Sequence, residues 1–316
     1  MPVDIVLSAD RLVLPGLAVT VRSALENATS QLNIHVISSG LRDSDQDKLR
    51  RSWGHPNCGI VVFVEISKKH LQSFRSTAYL KSKTSYARYF VGDIFPRLDR
   101  CIYLDADLLV LCDLTEAFEM ELDGNIAAAV RDICIRLKHD DPMLKRRLRL
   151  RDEKNYFNAG FMVMELNAWR REQLANKLVK LSIDRFDDFH SQDQDALNVV
   201  LEDRTRLMEV SWNTIQYEKP IPLAGNIVHL IGSVKPWHIR YKAKFCEAYY
   251  EEVIFKTFTS VLDRTEFRDW NPWNVWGLGA HKEWLVQLMP TGDMILGKLR
   301  RLSGRIPWIT SPRIGL

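Results

Sequence analysis

The sequence predicts an α/β fold built on a mostly parallel sheet. Three observations carry that reading. Apolar, β-branched runs alternate with helical patterns over the first 130 residues, which is the signature of βαβ units. The runs at 60–64 and 101–104 are continuously apolar, as in strands covered on both faces. The length of 316 residues suits one large domain, or one with a small appendage.

Taken in order, a first strand is expected at 4–10, an apolar run closed by Asp10. A helix over 15–28 follows, since Pro15 suits a first turn and Leu17, Val21, Ala24 and Leu25 share one face. Residues 34–37 read as a second strand, and 43–52 as a helix with Asp43 or Ser44 as its N-cap. The strand at 60–64 is expected to be buried on both faces. A helix over 82–95 ends before Pro96, and the strand at 101–104 runs straight into Asp105-Ala106-Asp107. Further strands are expected at 125–131 and 157–166. A helix over 167–182 is expected next, capped by Asn167, with Leu174, Leu178 and Leu181 at helical spacing. The alternation then weakens. The chain therefore divides into a main α/β domain, 1–240, and a smaller helical C-terminal region, 241–316.

Composition excludes several classes. Hydrophobic residues make up 46% and charged residues 27%, with a net charge of +4, values that exclude a disordered, collagen-like or coiled-coil chain. No apolar run reaches the ~18–20 residues needed to span a bilayer. No basic segment leads an apolar stretch at the start, so a signal peptide is not expected. Cys58, Cys101, Cys112, Cys134 and Cys246 are scattered, without a Cys-x-x-Cys pair. They read as reduced, mostly buried thiols of a cytoplasmic protein. After Asp293 come Lys298, Arg300, Arg301, Arg305 and Arg313 and no acid. The tail thus holds more than the whole net charge and the body is near neutral. Nucleic acid is not an expected partner, because binding it takes a basic face on the folded body.

Four features carry chemistry. Asp105 and Asp107, one residue apart at the end of a buried strand, repel each other unless a cation lies between them. A hard divalent ion, Mg²⁺ or Mn²⁺, meets that need and keeps open positions for a diphosphate. Downstream, the apolar segment 227–237 contains His229, Gly232 and Lys235. The imidazole offers a nitrogen ligand, Gly232 lets the backbone approach an anion, and Lys235 meets a phosphate as a point charge. Phe157-Asn158-Ala159-Gly160 places an amide and a small-residue backbone near a cleft. Gln192-Asp193-Gln194-Asp195 opens a helix, where capping and the dipole account for one or two polar residues but not for four. On α/β sheets, ligands bind at the carboxyl ends of strands.

Together with Ser8-Ala9-Asp10 and Tyr86-Ala87-Arg88, these motifs resemble those of glycosyltransferase family 8. The likeness covers about residues 3–240 and is nearest the bacterial lipopolysaccharide galactosyl- and glucosyltransferases. It implies a GT-A fold and a retaining enzyme that moves galactose or glucose from a UDP-sugar to a saccharide hydroxyl. It also implies Mn²⁺, with Mg²⁺ as the other candidate, held by Asp105, Asp107 and His229. Ser8, Asp10 and Ala106 would then lie on the nucleotide side, with Asp10 at the uracil or ribose, and Gly232 and Lys235 would hold the diphosphate. Arg88, Asp132, Asn158, Asp193 and Gln194 would surround the transferred hexose. Leu12 departs from the family, which often has a polar residue there. Gln194 stands where a two-step route needs a nucleophile, and an amide is a poor one. Same-face attack is therefore favoured, with Asp193 or Asp195 as the covalent alternative.

Two basic segments bear on the acceptor. Lys145, Arg146, Arg147, Arg149 and Arg151 form either a flap that meets an anionic saccharide or a solvated helix face. Residues 295–313 place Ile295, Leu299, Leu302 and Ile306 beside cations, with Trp308 after them, as in an interfacial helix on an anionic membrane. This points to a lipid-linked acceptor, such as a lipopolysaccharide or lipooligosaccharide core, and to peripheral attachment at the cytoplasmic face of the inner membrane. Two rival readings are a phosphatase of the haloacid dehalogenase type, which also places Asp-x-Asp after a buried strand, and a non-catalytic nucleotide-sugar or glycan-binding protein on the same fold.

Overall fold

The computed structural model describes residues 1–75, 82–136, 143–218, 223–232, 235–238 and 251–270. Seven strands form the main sheet: β1 (Val3–Asp10), β2 (Leu32–Ser39), β3 (Cys58–Glu65), β4 (Arg100–Leu104), β6 (Ala127–Arg131), β7 (Phe157–Glu165) and β8 (Thr205–Met208). Their order is β3-β2-β1-β4-β7-β6-β8. A second, three-stranded sheet is built from β5 (Leu108–Val110), β9 (Thr214–Ile215) and β10 (Ile227–His229), with β10 in the middle.

Side chains alternate across the main sheet into two cores. Ile5, Leu7, Ile34, Val36, Ile102 and Leu104 face the first helix, α1 (Leu14–Asn27), and the helix Glu252–Asp263. Val6, Ile37, Tyr103, Ala127, Ala129 and Met162 face the segments 84–94 and 166–200. Both faces are therefore dry, which explains why β1 and β4 read as continuous apolar runs.

The sheet is parallel from β3 to β4, but β7 runs antiparallel to both β4 and β6. This one reversal positions the site. Parallel strands deliver their carboxyl ends to one edge of the sheet, and an antiparallel strand delivers its start there. Leu104 pairs with Phe161 and Arg131 with Phe157, so Asn158-Ala159-Gly160 begins where β4 and β6 end. The register between β6 and β7 also slips, from Ala129↔Met162 to Val130↔Asn158. Ala159, Gly160 and Phe161 of β7 are thereby left without partners on β6.

The small sheet brings the distant histidine back. β5 leaves Asp107, and β10 pairs with it antiparallel in the register His229↔Leu108. Among the described residues, the other edge of β5 has no strand. Side chains of α1 take its place: Thr20 Oγ1 donates to the Leu108 carbonyl at 2.8 Å and accepts from its N–H at 3.1 Å, and Ser23 Oγ accepts from Val110 N–H at 3.0 Å. Asn27 Nδ2 donates to the Val110 carbonyl at 3.2 Å. Three polar residues on one helical stripe thus satisfy a buried strand edge.

Gly16 in α1 allows a second close approach. A Cβ there would lie 2.3 Å from the Ala106 carbonyl and 2.5 Å from the Trp237 ring. Trp237 is buried and its indole N–H donates to the Leu12 carbonyl at 3.2 Å. The Asp105-Ala106-Asp107 turn and Trp237 thus both pack against α1 at Gly16.

Several sequence expectations need correction. β3 is an edge strand, not one buried on both faces, and Ile60 is 57% exposed; an apolar run does not reveal its place in the sheet order. The helix Asp43–Ser52 has its expected bounds, but its cap is Arg42, whose N–H donates to Asp45 at 3.1 Å. The 82–95 segment is a 3₁₀ turn, Thr84–Phe90, followed by the helix Val91–Ile94. The expected 167–182 helix is two, Leu166–Arg171 and Leu174–Asp184, broken where Gln173 adopts φ 53°. Asn167 caps neither; its side chain bonds Asp99 and Arg170. Of the four cysteines described, only Cys101 is buried, where mostly buried thiols were expected. Cys246 and the tail 295–313 lie outside the described residues. No helix among the described residues is long and apolar enough to cross a membrane.

Two substitutions test this packing. Gly16→Ala is expected to cost about 1–3 kcal/mol in urea unfolding, because backbone and indole must both move. Thr20→Val is expected to cost about 1–3 kcal/mol by leaving Leu108 N–H unpaired. Unchanged unfolding midpoints would show that α1 does not hold the turn.

Candidate active site

The carboxyl edge of the sheet gathers the predicted side chains in two linked groups. The first surrounds the aspartate pair. His229 Nε2 lies 3.2 Å from Asp107 Oδ1 and 3.9 Å from Asp105 Oδ2. Arg88, buried in the 3₁₀ turn, donates from Nη2 to Asp105 Oδ1 at 2.8 Å and pairs through Nε with Asp193 Oδ2 at 2.9 Å. Its guanidinium lies 4.7 Å from the Tyr103 ring centre. Lys235 Nζ donates to Asp107 Oδ2 at 2.5 Å and to the Leu230 carbonyl at 2.6 Å.

These partners divide the two carboxyls. Burial pushes Asp105 above the usual carboxylate range; Arg88 opposes the shift and the charge of Asp107 adds to it. Burial acts on Asp107 in the same sense, but Lys235 and His229 outweigh it and hold Asp107 well below that range. The pair stays together because each member has its own cation.

The group fits a divalent ion. Donor atoms of Asp105, Asp107 and His229 lie within 4.8 Å of one another. Asp107 Oδ1 is buried without a hydrogen-bond partner, an orphaned acceptor that a cation would satisfy. Two hard oxygens and one imidazole suit Mn²⁺ or Mg²⁺. Gly160 makes room for the ring, since a Cβ there would lie 2.2 Å from His229 Cε1.

The second group is a surface of amides and one carboxylate. Asp132 Oδ2 accepts from Asn158 Nδ2 at 3.0 Å and from Gln194 Nε2 at 3.1 Å. Gln194 Oε1 accepts from Ala159 N–H at 3.1 Å, and its Nε2 also reaches Tyr156 Oη at 3.0 Å. Asp195, fully buried, accepts from Tyr156 Oη at 2.6 Å, Arg147 Nη1 at 2.7 Å and two backbone N–H groups. Its role is to hold the helix Gln192–Val200 in place. Arg147 is therefore an anchor and not part of an open basic face. Arg151 pairs with Asp203, while Lys145, Arg146 and Arg149 are exposed.

At the end of β1, Asp10 Oδ1 accepts from Leu12 N–H at 2.8 Å, and Oδ2 accepts from the Ser82 hydroxyl. Ser8 turns its hydroxyl to Tyr103 Oη at 2.7 Å. Ala106 is buried in the turn between the two aspartates, and Gly232 adopts φ 97°, which favours glycine. Sequence reasoning took Arg147 only as one cation of the basic run and gave Tyr156, which adjoins Phe157-Asn158-Ala159-Gly160, no role. It missed Asn213, which belongs to a short 3₁₀ turn, Val210–Asn213, and to no recognisable pattern.

Comparison with known proteins agrees with this geometry. The model of the family described as "Glycosyl transferase family 8" matches residues 4–240. The lipopolysaccharide 1,2-glucosyltransferase of Escherichia coli K12 is 26% identical over 254 residues, 74% of this chain and 72% of that protein. The lipopolysaccharide 1,3-galactosyltransferase of Salmonella typhimurium LT2 is 28% identical over 251 residues, 74% of this chain and 73% of that protein. Among solved structures, the galactosyltransferase LgtC, in complex with donor and acceptor sugar analogues, superposes with a TM-score of 0.71 at 23% identity. That likeness spans 84% of this chain and 99% of the other, and it shows a shared GT-A fold. A haloacid-dehalogenase-type phosphatase is not favoured. The chain belongs to glycosyl transferase family 8 and is a glycosyltransferase.

Proposed function

We propose that this enzyme is a Mn²⁺-dependent, retaining hexosyltransferase. It transfers galactose or glucose from a UDP-sugar to a saccharide hydroxyl on a lipopolysaccharide or lipooligosaccharide core, or another lipid-linked glycan. One observation carries the reading. The cation-ready trio Asp105, Asp107 and His229 has Lys235 against one member, and backbone bonds join it to the Asp132–Asn158–Gln194 surface: Asp105 N–H donates to the Gly160 carbonyl at 2.8 Å. A charged leaving group and a neutral, hydroxyl-rich sugar need these two chemistries side by side.

Breaking the anomeric C–O bond leaves positive charge on the sugar and negative charge on the UDP. Mn²⁺ held by the trio would neutralise the diphosphate as it leaves. Lys235 Nζ, which pairs with Asp107, would turn to a phosphate oxygen. Asp132, Asn158 and Gln194 orient the hexose through its hydroxyls. Asp10 and Ser8 lie at the end of β1, on the nucleoside side. Gly232 lets backbone meet the diphosphate.

Two observations favour same-face attack over a glycosyl-enzyme. Asp195 is fully buried and meets four donors, and Asp193 is paired with Arg88 at 2.9 Å. Neither carboxylate is a free nucleophile. Gln194 is an amide with both ends engaged. The phosphate oxygen released with UDP then takes the acceptor's proton.

The relatives' names, lipopolysaccharide glucosyl- and galactosyltransferase, support the acceptor class. Residues 295–313, basic and amphipathic in sequence, would bring the enzyme to the cytoplasmic face of the inner membrane, onto anionic lipid.

The test is release of UDP from a panel of UDP-sugars with Mn²⁺. Turnover is expected with UDP-galactose or UDP-glucose and loss on chelation. Asp107→Asn is expected to lose about 10²–10³-fold or more, the scale for removing one main transition-state stabiliser. Equal turnover in parent and Asp107→Asn would refute the metal assignment. Lys235→Met is expected to lower kcat by a similar factor; an unchanged kcat would remove Lys235 from the diphosphate.

A further inference from the structure

Asn213 is fully buried and lies in none of the motifs above. It joins the two groups of the site. Its Oδ1 lies 3.0 Å from His229 Nδ1, and its Nδ2 donates to Asn158 Oδ1 at 2.8 Å.

The orientation of each amide follows from one fixed donor. The Gly160 N–H can only donate, and it meets the Asn158 side chain at 3.0 Å. The Asn158 atom on that side is therefore the oxygen. Its other end, Nδ2, faces Asp132 Oδ2 at 3.0 Å, which requires the same orientation. Asn213 thus approaches an oxygen and must offer its Nδ2. That leaves Asn213 Oδ1 against the imidazole, and an amide oxygen accepts only from a protonated Nδ1. A neutral imidazole carries one proton, so its lone pair lies on Nε2. Nε2 is the atom that faces both aspartates.

We propose that Asn213 is a positioning residue. It locks His229 as the Nδ1–H tautomer, through a chain that starts at Asp132 and passes through Asn158, and so commits Nε2 to the cation. This rests on the metal reading given above. Partners of this kind fix ring orientation and tautomer, and losing them costs about 10–100-fold in metal affinity. The chain runs from the hexose surface to the metal ligand, so one polar path spans both halves of the site.

Two measurements test the proposal. The first is long-range ¹H–¹⁵N NMR on the metal-free chain labelled at histidine, with His229→Gln for assignment. His229 is expected as the Nδ1–H form; an Nε2–H form overturns the inference, whatever any variant does. The second is direct Mn²⁺ titration by electron paramagnetic resonance, without donor. Asn213→Leu is expected to bind about 10–100-fold more weakly. Asn213→Asp keeps an acceptor on Nδ1 but loses the donor to Asn158. It is expected to lose thermal stability yet hold Mn²⁺ affinity within about threefold of the parent, as carboxylate–histidine pairs do. Parent affinity in Asn213→Leu, or an equal loss in both variants, overturns the positioning role. A parent chain that binds no Mn²⁺ overturns the metal reading itself, and the tautomer measurement then still decides the assignment to Asn213.

Discussion

Two aspartates one residue apart, drawn into the end of a sheet, stay together only if positive charge surrounds them. That constraint organises the molecule. Asp105 is answered by Arg88 from the 3₁₀ turn, and Asp107 by Lys235, with the imidazole of His229 beside it, from more than a hundred residues downstream. Each compensating group arrives on a different element, so the site exists only when those elements close on one another. The compensation is unequal. Asp105 lies above the ordinary carboxylate range and Asp107 below it, and Asp107 Oδ1 is left without a hydrogen-bond donor. An arrangement that balances charge but leaves an acceptor empty is poised for a cation rather than complete without one.

Topology meets this constraint with two strands, β7 and β10, each antiparallel to a neighbour inside an otherwise parallel design. β7 runs against β4 and β6, which brings Asn158, Ala159 and Gly160 to the edge where β1, β4 and β6 end. β10 runs against β5, with His229 opposite Leu108, one residue past Asp107. A slip of one residue in that register would turn the imidazole to the opposite face of the small sheet. The Thr20, Ser23 and Asn27 bonds from α1 to β5 oppose such a slip, because they fix β5 from its free edge. The polar residues of α1 therefore act on the site without touching it.

Much of this was legible in the sequence, and the rest was not, for physical reasons. The helix Asp43–Ser52 and the strands β1 and β4 were legible because alternation and amphipathic spacing are local properties. Asp105, Asp107, His229 and Lys235 were found as types whose chemistry demands company, and the fold brings them together across more than a hundred residues. Sheet order was not legible. The apolar run of β3 looks the same on an edge as in the centre, and nothing local records that β7 runs backwards. The break at Gln173 was hidden because the leucine spacing continues on its far side. Arg147 looked like one cation among five; only its contact with buried Asp195 sets it apart. Asn213 carries no periodicity and no motif, and its meaning lies in two neighbours distant in sequence.

Anomalous diffraction at the manganese edge, from crystals soaked in Mn²⁺ and UDP, shows whether the aspartate pair and the imidazole hold one divalent cation. A single peak is expected at about 2–2.5 Å from Asp105, Asp107 and His229 Nε2. No peak there, or a peak held by other side chains, overturns the metal assignment.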